Sequence, residues 1–190
     1  MKNPLQEIRK GDGLLILDVQ NDFCPGGKLA VENGHAVVPV LNKWIEKASK
    51  TGIPVYASRD FHPRHHVSFE SEGGQWPPHC IQDTEGAEFH PDLNLPENTV
   101  IITKGVRFDK DQNSAFDETG LEVQLKKDGI KRLWVGGLAE DVCVQATVLD
   151  ARDHGFDIIV IKDAVKPVSE EGEKEADRKM KKKSAEIIHM

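Results

Sequence analysis

Only three cysteines occur in the chain, Cys24, Cys80 and Cys143. They are too few and too scattered for a disulfide framework, and an odd count suits a reducing compartment. Basic residues are also in deficit: Lys+Arg number 25 against 32 Asp+Glu, a formal net charge of -7. That balance argues against a nucleic-acid partner, which requires a basic face. Long apolar runs are missing too. Patches such as Leu14 to Leu17 and Ile158 to Ile161 fall far short of the ~18 residues a membrane span needs. The stretch from Met1 to Gly11 is charged and lacks the apolar segment of a secretory signal. These absences lead to the expectation of a soluble cytoplasmic protein with neither a nucleic-acid nor a membrane partner. What is present, 38% hydrophobic and 30% charged residues, is enough to build a core and argues against disorder. The length of 190 residues suits one domain, expected to span residues 1–190.

The apolar pattern alternates between short runs and longer helix-like stretches. Gly13 to Val19 reads as a buried strand, with four consecutive apolar residues at its centre. Further strands are expected at Ile53 to Ser58, Val100 to Thr103, Leu133 to Val135 and Ile158 to Ile161. Amphipathic stretches lie between them, at about Ala36 to Lys50, Leu121 to Lys127, Val142 to His154 and Glu171 to Lys183. In the first, Val37, Val40, Leu41, Trp44, Ile45 and Ala48 share a face. Alternating strands and helices predict an α/β fold with a mostly parallel sheet covered on both faces. Ligands in such folds gather beyond the carboxyl ends of the strands.

One segment breaks the alternation. From Asp60 to Asn98 no periodicity is visible, and Gly, Pro and His crowd in. A loop this long in a compact domain is usually functional. Five of the eight histidines fall there: His62, His65, His66, His79 and His90. The charged C-terminal stretch, acidic at Glu170 to Glu175 and basic at Arg178 to Lys183, reads as a solvated helix that matches the helix dipole.

Three strand ends carry reactive groups. Asp18 closes the first strand, where position alone also fits a turn cap. Lys104 follows the Val100 strand and, taken singly, reads as a solvated lysine. Cys143 follows Gly136-Gly137 and opens a predicted helix. A thiol in a first helical turn is expected to have a lowered pKa, and the free amides there can hold an oxyanion. A lone cysteine is otherwise a small buried hydrophobe. An acid, a lysine and a thiol at one rim are hard to obtain from three independent accidents.

Asp60 and His62 are two apart, so in extended chain they face the same side. His79, in Trp76-Pro77-Pro78-His79, could supply a third ligand. Two imidazoles and a carboxylate suit zinc or non-haem iron. His66 is a fourth candidate, while His35, His65, His90, His154 and His189 read as surface or packing residues. Phe23 and Trp76 are candidate walls for a flat ring; Trp44 and Trp134 read as core. Cys24 and Cys80 have no role beyond packing.

With these residues in view, the chain resembles the nicotinamidase (pyrazinamidase) branch of the isochorismatase-like cysteine hydrolases. The matching stretches are Asp18-Val19-Gln20-Asn21-Asp22-Phe23-Cys24-Pro25-Gly26-Gly27, Arg59-Asp60-Phe61-His62-Pro63 and Trp76-Pro77-Pro78-His79-Cys80. Others are Gly86-Ala87-Glu88-Phe89-His90-Pro91, Thr103-Lys104-Gly105 and Gly137-Leu138-Ala139-Glu140-Asp141-Val142-Cys143-Val144. The first and last belong to the wider superfamily; the Asp-x-His and Trp-Pro-Pro-His pair is what is similar to nicotinamidase. The resemblance implies a three-layer α/β/α hydrolase with Asp18, Lys104 and Cys143 as catalytic triad. It implies a divalent ion, zinc first and iron or manganese as alternatives, on Asp60, His62 and His79, with His66 where some relatives add a ligand. It further implies a cis peptide at Leu138–Ala139, oxyanion donors at Ala139 and Cys143, and a substrate site formed by Phe23, Trp76, Leu138 and Ala139. The sequence departs from the family's pattern at Glu140, where many relatives have Thr, and at Lys166-Pro167-Val168-Ser169.

The implied reaction is hydrolysis of nicotinamide to nicotinate and ammonia through a cysteine thioester, with pyrazinamide as a further substrate. The expected partners are this small molecule and further copies of the same chain, in an assembly of unspecified order. The alternative is another superfamily amidase acting on a carbamoyl or ureido group, against which the metal motif counts. A metal-dependent oxygenase would use the same ligand set but has no use for the acid, lysine and thiol together.

Overall fold

The four consecutive apolar residues Leu14 to Leu17 lie in a strand, β1 (Asp12–Leu17), whose six residues are all buried. Such a run is stable only where both faces are covered. Leu14 and Ile16 join one hydrophobic cluster and Leu15 and Leu17 the other, so alternate side chains feed two separate cores. The structure, a computed structural model, describes residues 4–190.

Around β1 stand β2 (Val55–Asp60), β3 (Val100–Lys104), β4 (Arg132–Leu138), β5 (Asp157–Lys166) and β6 (Glu186–Ile188). They form one sheet in the order β3-β2-β1-β4-β5-β6, with every pairing parallel. On one face α1 (Val37–Thr51) packs Val37, Leu41, Trp44, Ile45 and Ala48 against the sheet. On the other lie α2 (Leu121–Lys127), α3 (Gln145–Asp153) and α4 (Glu170–Lys182). The three-layer α/β/α architecture is the one expected. Trp44 and Trp134 are fully buried with ring centroids 4.8 Å apart, the core role read for them.

Several elements differ from the sequence reading. A sixth strand, β6, pairs with β5; three residues on a sheet edge leave too short a pattern to read. Gly136 and Gly137 do not break the chain but continue β4. A Cβ at Gly136 would stand 2.9 Å from both Ala164 Cβ and Leu41 Cδ2, and one at Gly137 would stand 2.0 Å from the Leu17 carbonyl oxygen. These glycines answer close approach, not a turn. The stretch expected as one helix from Val142 starts instead as a π-turn (Glu140–Val144) and becomes α3 only at Gln145. α4 is the charged amphipathic helix expected, with the Ser169 side chain accepting from the Gly172 amide at its start.

The chain runs from β1 to β2 on one side and reaches β4 on the other. The strand order therefore reverses at β1, which opens a crevice beyond the carboxyl ends of β1 and β4. Asp18 and Leu138 stand at that rim. The long segment between β2 and β3 has only short 3-10 turns and isolated bridges. It is tied to the sheet by buried side chains. Gln20 Nε2 donates to the carbonyls of Asp60 (2.7 Å) and Ala87 (2.8 Å), and its Oε1 accepts the Asp60 amide. Asp22 accepts the amides of Cys80 (2.7 Å) and Lys28 (3.0 Å).

Candidate active site

Asp60 and Lys104 are the last residues of the adjacent strands β2 and β3 and pair in register. Asp18 follows β1 with φ 49°, a left-handed conformation that aspartate tolerates better than most residues. The strand ends thus bring three charged side chains together without any long-range loop. Lys104, fully buried, reaches Asp60 Oδ1 at 2.6 Å, Asp18 Oδ2 at 2.9 Å, Cys143 Sγ at 3.5 Å and the Gln112 carbonyl at 3.3 Å. Asp18 Oδ1 accepts from Ser58 Oγ at 2.6 Å. Asp18 Oδ2 faces the ammonium as an ion pair but has no hydrogen-bond partner.

The charges follow from this packing. Burial works against the Lys104 ammonium, but Asp18 and Asp60 outweigh it and hold its pKa well above the ordinary lysine value. Burial also acts upward on Asp60, yet Lys104 and His62 keep that carboxyl below the usual carboxylate range. At Asp18 burial prevails over Lys104, and Asp60 adds to the rise. The Cys143 thiol is pushed well above its ordinary value by burial, against the pull of Lys104. This corrects the expectation of a lowered thiol pKa: Cys143 sits in a buried π-turn beside two carboxylates, and desolvation there exceeds what a helix start supplies.

A second group lies alongside. One ligand atom each from Asp60, His62 and His79 falls within 4.8 Å of the others, and all three residues are buried. His62 itself bridges Ile81, its amide donating to Cys80 O at 2.8 Å, and this pairing carries His79 to the site. His62 Nδ1 lies 3.0 Å from the Gly105 carbonyl and His79 Nδ1 2.8 Å from the Pro77 carbonyl. A carbonyl can only accept, so each Nδ1 carries the proton and each Nε2 is left with a free lone pair. Two imidazole nitrogens and a carboxylate oxygen are the donor set of zinc and of non-haem iron, and the residues fit a divalent ion. His66 stands apart. Its ring lies 4.1 Å from that of His62, but Nδ1 meets Ser68 at the hydroxyl (2.7 Å) and amide (3.3 Å), and Nε2 meets the Lys110 carbonyl (3.2 Å).

Cys143 and the Asp60–His62–His79 group open onto a pocket of about 550 Å³, mouth included, which the fully buried Asp18 and Lys104 do not line. Phe23, Trp76, Ala139, Cys143, Asp60, His62 and His79 are among the residues that line it. The Leu138–Ala139 peptide is cis, and the Ala139 carbonyl accepts the Val142 and Val144 amides as the chain enters the π-turn. Leu138 itself does not line the pocket. Its side chain is buried in the core beside Gly34, so of the four residues expected to form the substrate site Leu138 is the one off the pocket wall.

The comparisons with known proteins agree with this geometry. The isochorismatase domain matches residues 12–190. The chain belongs to the isochorismatase-domain family. Within that family it is 39% identical over 177 residues to the nicotinamidase of Escherichia coli (strain K12), covering 82% of this chain and 83% of that protein. The pyrazinamidase of Pyrococcus horikoshii in complex with zinc superposes with a TM-score of 0.92 at 42% identity, over 95% of this chain and 99% of that one. The L. infantum protein PnC1 in complex with nicotinate superposes with a TM-score of 0.87 at 35% identity, over 94% and 92% of the two chains.

In this isochorismatase-domain chain, sequence reasoning missed Leu29, Val31, Ser68, Asp111 and Val168 among the lining residues. They arrive on loops whose course no periodicity reveals. Ser58 was recoverable: it stands two residues before Asp60 on β2, on the same side of the strand. The remaining histidines are peripheral. His65 meets Glu72 at 2.9 Å, His154 meets Glu122 at 3.2 Å and His189 lies 3.8 Å from Asp163.

Proposed function

We propose that this chain hydrolyses nicotinamide to nicotinate and ammonia, a step of NAD salvage, through a thioester on Cys143. The observation that supports it most is that Cys143, held beside buried Asp18 and Lys104, opens onto the same pocket as the Asp60–His62–His79 donor set. The similarity to a nicotinamidase and to a nicotinate complex points to the same substrate class, and pyrazinamide is a further expected substrate.

In the proposed sequence, Asp18 Oδ2 takes the proton of the Cys143 thiol. Burial raises the pKa of both groups, which favours the neutral thiol at rest and makes Asp18 a stronger base than an ordinary carboxylate. Lys104, 3.5 Å from Sγ, stabilises the thiolate as it forms. Sγ attacks the carboxamide carbon, and the amides of Ala139 and Cys143 receive the developing oxyanion. Asp18 returns the proton to the leaving nitrogen, the C–N bond breaks and ammonia departs. Water, deprotonated by Asp18, then attacks the thioester carbon; the C–S bond breaks and the thiol regains its proton. Phe23 and Trp76 hold the ring between them, leaving its amide over Cys143.

Asp60, His62 and His79 would hold the divalent ion, with zinc the first choice given the zinc complex of the similar pyrazinamidase. When bound, it supplies a Lewis-acidic site for the ring nitrogen of the substrate. The proposed setting is the cytoplasm, in keeping with three cysteines that are all free. Among the described residues no helix is long and apolar enough to cross a membrane.

The test is ammonia release from nicotinamide by purified protein, before and after chelation and after zinc is added back. Turnover that chelation removes and zinc restores is the expected result. No release, with metal bound and Cys143 reactive towards an alkylating agent, would overturn the assignment and move the substrate to another amide, such as a carbamoyl or ureido compound.

A further inference from the structure

The two residues that lead from Ala139 into the nucleophile turn are both acidic, and neither lines the pocket. Glu140 is fully buried. Its Oε1 accepts from Lys162 of β5, and its Oε2 is buried with no hydrogen-bond partner. The same Lys162 ammonium binds Asp177 Oδ1 and Glu173 Oε1 of α4, each at 2.9 Å. Asp141 makes the second attachment. Its Oδ1 accepts the Val168 amide at 2.8 Å and its Oδ2 the Ser169 amide at 3.4 Å, just before α4. A Cβ at Gly172 would stand 1.9 Å from that carboxylate, so the first turn of α4 rests directly on it.

This arrangement is unusual for mere scaffolding. A buried carboxylate is unfavourable unless paired, and an apolar residue of similar size would fill the same volume without that cost. α4 buries only Ala176 and Met180, so its hold on the turn is specified by charge. A π-turn is rare, and relaxing it to α-helical geometry would rotate Cys143 relative to Asp18 and Lys104. Glu140 and residues 166–169 meet at this junction: one supplies the buried acid, and the other supplies the amides on Asp141.

We propose that Glu140 and Lys162 are positioning residues for the nucleophile, fastening the 140–144 turn to β5 and α4 in the register that presents Cys143 Sγ to Asp18 and Lys104. The inference rests on the reading of Cys143 as nucleophile given above. Neither residue touches substrate. Lys162 is the hub, because its loss leaves three carboxylates facing one another with no cation, one of them inside the turn.

The experiment compares the zinc-loaded wild type with Lys162→Met, Lys162→Arg, Glu140→Gln and the double variant Glu140→Gln/Lys162→Met. It is run well below each melting temperature and normalised to bound zinc. Readouts are kcat and KM for nicotinamide and the rate of Cys143 alkylation by iodoacetamide, with Cys143→Ala as the alkylation baseline. Lys162→Met is expected to lower kcat at least about 10-fold with KM within about 2-fold, and to shift the alkylation rate. Lys162→Arg should stay near wild type, and the double variant should recover part of the loss because the stranded carboxylate is gone. A purely structural brace would lower the melting temperature and leave kcat per zinc and the alkylation rate unchanged; that result overturns the proposal. Should Lys162→Met not fold, Glu140→Gln decides: lower kcat at constant KM supports positioning, and unchanged kcat refutes it. Turnover by Cys143→Ala would remove the nucleophile reading first. An inactive Cys143→Ala beside a fully active Lys162→Met would sink this inference alone.

Discussion

Gly105 has a left-handed φ of +68°, and a Cβ there would stand 2.5 Å from His62 Cε1 and 2.6 Å from Nδ1. Its carbonyl also receives the His62 Nδ1 proton, so one residue sets both the ring's position and its tautomer. Gly105→Ala is expected to displace the imidazole and weaken metal binding by roughly 10- to 100-fold, as loss of a ligand's orienting partner typically does. Competition against a coloured chelator measures this, and unchanged affinity would contradict the argument that only glycine fits against the ring. At this scale much of the site was legible. The Asp60-x-His62 spacing places both side chains on one side of extended chain, and that inference needs only backbone geometry. The state of Cys143 was not legible, because a helix start and a buried pocket act on a thiol in opposite directions. Only the packing around it shows that burial prevails. His66 was ambiguous for a similar reason: its neighbourhood to His62 is a matter of ring stacking within a turn, and its nitrogens are engaged by Ser68 and Lys110.

Among the elements, the π-turn before α3 is where local pattern and structure diverge most. The apolar spacing beyond Val144 is helical, and nothing in it marks the extra residue in the turn; the adjacent acids at 140 and 141 are the sign, recognisable only once Lys162 and α4 are seen beside them. Burial pushes the Glu140 carboxyl up to about 7, with Lys162 opposing and Asp177 adding to the rise. A carboxyl whose pKa is higher folded than unfolded keeps its extra proton only in the folded state. Its contribution is therefore fully present below the unfolded value of ~4.3 and is lost as pH rises from there through about 7. The melting temperature of the wild type should thus fall more steeply between about pH 5 and pH 8 than that of Glu140→Gln, which has no such proton to lose. Parallel profiles would show that another group carries the slope. Gly136 and Gly137 teach the same lesson from the other side. A Gly-Gly pair reads as a break, yet here it lets β4 pass close to Ala164, Leu41 and the Leu17 carbonyl.

For the whole molecule, strand–helix alternation was enough to anticipate a parallel sheet covered on both faces, because βαβ crossovers permit little else. The strand order was not readable, since nothing local says which strands become neighbours; the reversal at β1 follows from the finished topology. The long segment between β2 and β3 was recognisable by its missing periodicity and its histidines. What holds it, chiefly Gln20 and Asp22, emerged only in three dimensions. Because Asp60 belongs to the sheet and His79 to that segment, an ion bound between them ties one to the other and binds only the folded state. Chelation should lower the melting temperature by several degrees, and zinc should restore it equally in the wild type and in Cys143→Ala, because the thiol is not one of the three proposed donors. Identical melting temperatures with and without metal would mean that the three donors do not form one site.

The central claim is that Cys143 is the nucleophile of an amide hydrolase. Ammonia release from nicotinamide by zinc-loaded Cys143→Ala tests it most directly. The account predicts a rate at least about 1,000-fold below that of the wild type at equal zinc content; turnover within about 10-fold of the wild type would contradict it.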